Sequence, residues 1–113
     1  MLLWRCWIRP MNAETVLQNQ IRLALSEHGI VIRLNTGVFK TINGAVIKQG
    51  IPGLPDLLFV GDNGQTVWLE VKTATGRLSP AQERFIDTLY NMDHKAYVVR
   101  SVEDALHVVG VKS

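Results

Sequence analysis

Pro55-Asp56-Leu57-Leu58-Phe59-Val60-Gly61-Asp62-Asn63-Gly64-Gln65-Thr66-Val67-Trp68-Leu69-Glu70-Val71-Lys72 is the stretch that decides the fold. Two apolar, β-prone runs flank a turn rich in Gly, Asp and Asn, the pattern of an antiparallel hairpin. Directly opposed residues of such a pair point to the same side of the sheet. A three-residue loop at Asp62-Asn63-Gly64 sets Gly61 against Gln65, Phe59 against Val67 and Leu57 against Leu69, which makes one continuous apolar face. Burying Leu57, Phe59, Val67, Leu69 and Val71 stabilises by roughly 1.5–3 kcal/mol each, so hydrophobic registry fixes the pairing. The other face then pairs Leu58 with Trp68 and Asp56 with Glu70, with Lys72 two residues further along.

Two carboxylates opposed across strands repel. A divalent cation removes the conflict, and Mg²⁺ takes hard oxygen ligands of this kind together with water and substrate phosphate. Lys72 on the same face can hold a water or hydroxide near the cation, or neutralise charge developing on phosphorus. That is the chemistry of a metal-dependent phosphodiesterase. The pattern alone is matched equally well by an Asp56 that ends a turn and by a Glu70 and Lys72 on the wet side of an edge strand.

Downstream, residues 73–78 read as a loop. Ser79-Pro80-Ala81-Gln82 reads as a helix start, with Ser79 as N-cap, Pro80 at the first helical position and Gln82 reaching back. The helix extends to about residue 91 with Phe85, Ile86 and Leu89 inward. Residues 95–99 form a strand, and Ser101 caps a last helix through about residue 108.

Upstream, Gly50-Ile51-Pro52-Gly53-Leu54-Pro55-Asp56 is a rigid approach in which Gly50 and Gly53 supply backbone freedom. Residues 38–41 and 45–48 flank Asn43-Gly44, a strong hairpin signal, and residues 30–34 read as a strand. Between residues 28 and 55 there is no acid, while Arg33, Lys40 and Lys48 are basic. A solvated hairpin explains that as readily as phosphate contact. Asn12 caps a helix to about residue 28, with Gly29 as its stop. Leu17, Ile21, Ala24 and Leu25 form its apolar stripe. Glu14 shares that stripe; taken alone, it reads as a first-turn acid complementing the helix dipole.

The 113 residues are 47% hydrophobic and 19% charged, with net charge +2 and a pI near 8.9. That is one globular domain with a single small core, and it excludes two lobes around a deep cleft. A single cysteine, Cys6, excludes an internal disulfide framework and a cysteine-rich zinc site. His28, His94 and His107 lack metal-ligand spacing. No segment is long enough to span a bilayer. Residues 1–10, interrupted by Arg5 and Arg9, do not read as a signal peptide. They are taken as an N-terminal extension upstream of a start at Met11, with residues 11–113 as the domain.

The order of these parts resembles the PD-(D/E)xK nuclease superfamily, and specifically its VRR-NUC family in small stand-alone bacterial and phage form. The resemblance covers essentially residues 13–106. It is carried by Glu14, by Gly50-Ile51-Pro52-Gly53-Leu54-Pro55-Asp56, by Trp68-Leu69-Glu70-Val71-Lys72, by Gly76-Arg77-Leu78-Ser79-Pro80-Ala81-Gln82 and by Tyr97-Val98-Val99-Arg100-Ser101.

It implies an α/β, restriction-endonuclease-like domain: a central mixed β-sheet flanked by helices, with an α-β-β-β-α-β core. It implies that Asp56, Glu70 and Lys72 are catalytic, assisted by Gln82, which would orient the lysine or a water. Glu14, Asp56, Glu70 and the carbonyl of Val71 would hold Mg²⁺ or Mn²⁺, Glu14 directly or through water. The expected activity is a structure-selective DNA endonuclease resolving four-way (Holliday) junctions. The alternatives are a flap or duplex nuclease, or a non-catalytic nucleic-acid-binding module on the same fold. Arg33, Lys40, Lys48 and Arg77 are the expected DNA contacts. A homodimer is expected from the chain's small size and from Trp4, Trp7, Phe39 and Trp68, which have no obvious internal partner. The expected setting is the cytoplasm of a bacterial cell or phage-infected host, with no membrane contact.

Overall fold

A computed structural model describes residues 12–34 and 37–112, except for the side chains of residues 37–40 and 47–49. Helix α1 (Ala13–Ser26) opens on Asn12, whose side chain accepts the Thr15 N–H at 2.8 Å. It ends two residues earlier than its sequence suggests. The His28 N–H bonds back to the Leu25 carbonyl at 2.9 Å, which tightens the chain into a turn before Gly29. Strands β1 (Ile30–Arg33), β4 (Leu57–Val60), β5 (Thr66–Val71) and β6 (Lys95–Val99) form one sheet in the order β1-β4-β5-β6. Strands β2 (Gly37–Lys40) and β3 (Val46–Gln49) make a separate two-stranded ribbon inserted between β1 and β4. Helices α2 (Pro80–Asn91) and α3 (Val102–Val108) complete the fold.

The register of the central hairpin follows hydrophobic parity: Leu57 faces Leu69, Leu58 faces Trp68 and Phe59 faces Val67. Asp62–Gly64 forms the three-residue 3-10 turn between the strands, closed by the Gly61 N–H on the Gln65 carbonyl at 2.9 Å. β1 and β4 are antiparallel, and β6 lies parallel to β5. The parallel pairing requires a crossover, which α2 supplies. The mixed sheet and its α-β-β-β-α-β order are thus as expected, with the β2–β3 ribbon as an insertion.

Leu57, Phe59, Val67, Leu69, Val71 and Val99 are buried on one face, against Ile21 and Leu25 of α1, Ala105 of α3 and Val109 just after it. The opposite face carries α2, where Leu89 is buried and the Phe85 ring packs at 6.3 Å from Trp68, tilted by 56°. Trp68 therefore has an internal partner, which corrects the expectation that it lacks one. Phe85 supplies that partner from α2. Trp4, Trp7 and the Phe39 side chain lie outside the described residues. No helix among the described residues is long and apolar enough to cross a membrane.

Candidate active site

The site lies at one end of the sheet, where β4 begins and β5 ends. Asp56 sits just before β4, and its carbonyl accepts the Leu34 N–H at 2.9 Å, so it still belongs to the ladder with β1. One of its carboxylate oxygens accepts the Val71 N–H at 2.8 Å. Asp56 therefore turns across the gap between the two strands. In a strand, N–H and C=O of one residue leave on the same edge. The Val71 carbonyl thus leaves β5 on the side where Asp56 stands.

Glu70 is 1% exposed and projects to the α2 side, like Trp68. Carboxylate oxygens of Glu14, Asp56 and Glu70 lie within 4.8 Å of one another. Glu14 arrives from the other layer, carried by the first turn of α1, so the three acids converge on the sheet end from both sides. The Lys72 ammonium is 3.9 Å from Glu70 Oε1, and its side chain is nearly buried too.

This crowding has an electrostatic consequence. Burial, first of all, and then the charges of Asp56 and Glu14 push the Glu70 carboxyl up to about 8, with Lys72 opposing in part. Glu70 Oε2 has no hydrogen-bond donor. An unpartnered oxygen in a buried cluster of acids is costly by itself, and an oxygen-only set suits a hard divalent cation. The three carboxylates of Glu14, Asp56 and Glu70 are donors that fit a hard divalent cation and could hold one here.

Gln82 joins the site to the start of α2. Its Oε1 accepts the Ser79 N–H at 2.8 Å, while its own N–H donates to Ser79 Oγ at 3.2 Å, a reciprocal capping box. Its Nε2 is left to donate to Glu70 Oε1 at 3.2 Å. The side-chain partner of Gln82 within the site is thus the acid Glu70. Sequence reading saw the cap but not that its spare donor faces Glu70.

The same reading missed the tie from Asp56 to the Val71 amide and the contact at Gly53. Gly53 has φ +80°, and a side chain there would collide with the Ala81 carbonyl. The loop before Asp56 is thereby pressed onto the first turn of α2. Its signal was the run Gly50-Ile51-Pro52-Gly53, legible as permissive backbone but silent about what it meets.

Arg33 is exposed at the end of β1 and lines a polar cleft of about 260 Å³ with Gln18, Glu14 and Asp56. Arg77 is exposed in the loop after Lys72. Lys40 and Lys48 fall on the β2–β3 ribbon, and their side chains lie outside the described residues.

Comparison with known proteins agrees with this architecture. The model of the VRR-NUC domain matches residues 11–103, and the chain belongs to that family. This is a nuclease family, and the chain is accordingly a nuclease-type domain. No curated protein matches the chain. A solved structure described as a VRR_NUC domain has a TM-score of 0.66 and 21% identity, over 88% of this chain and 96% of that one. The two share the fold.

Proposed function

We propose that the protein is a Mg²⁺- or Mn²⁺-dependent, structure-selective DNA endonuclease whose substrate is a four-way junction. The observation that carries this reading is the convergence of Glu14, Asp56 and Glu70 within 4.8 Å beside the nearly buried Lys72. A divalent cation supplies Lewis-acid polarisation of the phosphodiester and a lowered water pKa when bound to such a set. Asp56, Glu70 and the Val71 carbonyl would hold it, with Glu14 directly or through water. Lys72 would orient the attacking water and stabilise negative charge as it builds on phosphorus. Gln82 keeps Glu70 aimed at the cluster and so fixes one wall of the site.

Arg33, Lys40, Lys48 and Arg77 would contact phosphates, a role that positions DNA without reading its sequence. A two-fold homodimer would set two such sites against symmetric strands of a junction. Its setting is the cytoplasm of a bacterium or an infected host.

The test is one gel series of purified protein with junction, flap, duplex and single-stranded DNA, with and without Mg²⁺. Symmetric nicking of the junction only with metal is expected. Preferred cutting of flap or duplex would replace the substrate and leave the nuclease. A mobility shift with no cleavage under any metal would make the protein a binding module. Sedimentation at micromolar concentration is expected to give a dimer; a monomer without junction preference would remove the resolvase reading.

A further inference from the structure

We propose that Arg100 is a positioning residue for Lys72. Its guanidinium clamps the turn of residues 73–76 against the lysine's stem and so keeps the ammonium beside Glu70. The inference rests on the reading of Lys72 as the catalytic lysine, and it concerns how a long, flexible side chain is held in one place.

β5 ends at Val71, so the chain leaves the sheet directly at Lys72. The Lys72 N–H donates to the Val99 carbonyl at 3.0 Å, a bond that ends one residue before Arg100. From there Arg100 reaches back over the departing chain. Its Nη1 donates to the Thr73 carbonyl at 2.6 Å and to the Gly76 carbonyl at 2.7 Å. Nη1 carries two hydrogens in a fixed plane, so one nitrogen serves both acceptors. These bonds are charge-assisted, which makes them stronger than a neutral pair.

The two carbonyls belong to a turn that also closes on itself, through the Gly76 N–H on the Thr73 carbonyl at 3.1 Å. The arginine's own root is fixed as well. Its backbone N–H donates to Asp104 Oδ2 at 3.0 Å, and the Asp104 N–H donates to Ser101 Oγ at 3.0 Å. Arg100 is thus anchored on the first turn of α3 and holds a loop that follows β5.

That loop lies against Lys72. A methyl group at Gly76 would sit 3.5 Å from Lys72 Cδ. The turn is therefore a wall of the slot that leaves Lys72 only 9% exposed. A lysine stem has several rotors, and an ammonium 3.9 Å from its carboxylate partner stays there only if the stem is confined. Without the clamp the turn retains a single closing bond, the stem gains freedom and water reaches the ammonium.

An exposed arginine near a nuclease site has an obvious alternative role as a phosphate contact. The two roles separate cleanly. A phosphate contact sets DNA affinity and its salt dependence. A clamp sets the reactivity of Lys72 and the rate at saturating DNA.

Arg100→Gln and the milder Arg100→Lys are compared with the wild type, each checked for folding by circular dichroism. The first readout needs no nuclease activity. Trace acetic anhydride labels lysines in metal-free protein, with the exposed Lys95 and Lys112 as references in the mass spectrum. Lys72 is expected to label slowly in the wild type and roughly ten-fold faster in Arg100→Gln, because the turn opens. Arg100→Lys, which can still donate to a carbonyl, falls between and covers the case in which Arg100→Gln does not fold. Lys72 labelling unchanged from the wild type in either folded variant overturns the proposal.

The second readout is cleavage. Arg100→Gln is expected to lower the rate at saturating DNA by about 10–100-fold, the usual cost of losing a group that orients a catalytic residue. DNA affinity and its salt slope stay as in the wild type. Weakened binding with a shallower salt slope and an unchanged saturating rate would make Arg100 a phosphate ligand and overturn the clamp. If the wild type cleaves no DNA, the nuclease reading falls, and the labelling still decides whether Arg100 controls Lys72.

Discussion

Gln82 donates through Nε2 to Glu70 Oε1 at 3.2 Å while its Oε1 caps α2 at the Ser79 N–H. One side chain thus ties the start of a helix to the most buried acid of the site. The cap needs only an acceptor, which Glu would supply as well as Gln. Glu70 needs a donor, which only the amide has. Gln82→Glu should therefore keep the helix start but bring a further carboxylate against Glu70. Cleavage at neutral pH is expected to slow by about 10–100-fold, with stability near pH 5 close to that of the wild type. Rate measurements alongside urea denaturation check both halves, and full activity in Gln82→Glu would remove the tie from the account.

The raised carboxyl of Glu70 makes stability depend on pH. Between its ordinary value of 4.5 and about 8, the folded metal-free protein holds a proton that the unfolded chain has released. Stability then falls as pH rises through that window, because the folded state binds more protons there. Thermal melts in EDTA from pH 5 to pH 8 should show the fall, Glu70→Gln should flatten it, and added Mn²⁺ should offset it most at the upper end. A wild-type curve that rises over this range would contradict the burial of an uncompensated acid.

Gly53 and Gly44 both have φ +80°, but their surroundings differ. At Gly53 a methyl group strikes the Ala81 carbonyl, whereas at Gly44 there is nothing within 4 Å. Gly53→Ala is expected to cost on the order of 3 kcal/mol, combining backbone strain with overpacking. Gly44→Ala carries the backbone strain alone, about 1 kcal/mol. Denaturant midpoints for the two variants give the comparison; equal losses would mean that the loop does not depend on its contact with α2.

Lys72→Ala should abolish cleavage while leaving DNA binding largely intact, since affinity comes mostly from other phosphate contacts. A gel reporting both bound and cut DNA suffices. Cleavage at the wild-type rate would assign the chemistry elsewhere.

Much of this was legible in the sequence because it follows from parity and from local rules. The alternation of Leu57, Phe59, Val67 and Leu69 fixes the register, and all four are buried. Ser79-Pro80-Ala81-Gln82 announces its helix by capping chemistry alone. Glu14 looked misplaced on an apolar stripe, and its neighbours turn out to be Asp56 and Glu70. What stayed illegible depends on distant backbone. Nothing in the neighbourhood of Arg100 says that its guanidinium meets carbonyls 24 and 27 residues earlier. Trp68 gave no sign of Phe85, because their meeting depends on where α2 crosses the sheet. The Asp56 carboxylate was expected beside Glu70, and parity gave no sign that it also accepts the Val71 N–H.

The central claim is that Glu14, Asp56 and Glu70 form one divalent-cation site, and Mn²⁺ titration followed by electron paramagnetic resonance tests it most directly. The wild type at pH 8 should bind one Mn²⁺ per chain in competition with Mg²⁺, and Asp56→Asn or Glu70→Gln should weaken that binding at least ten-fold. Mn²⁺ affinity unchanged in both folded variants would contradict the claim.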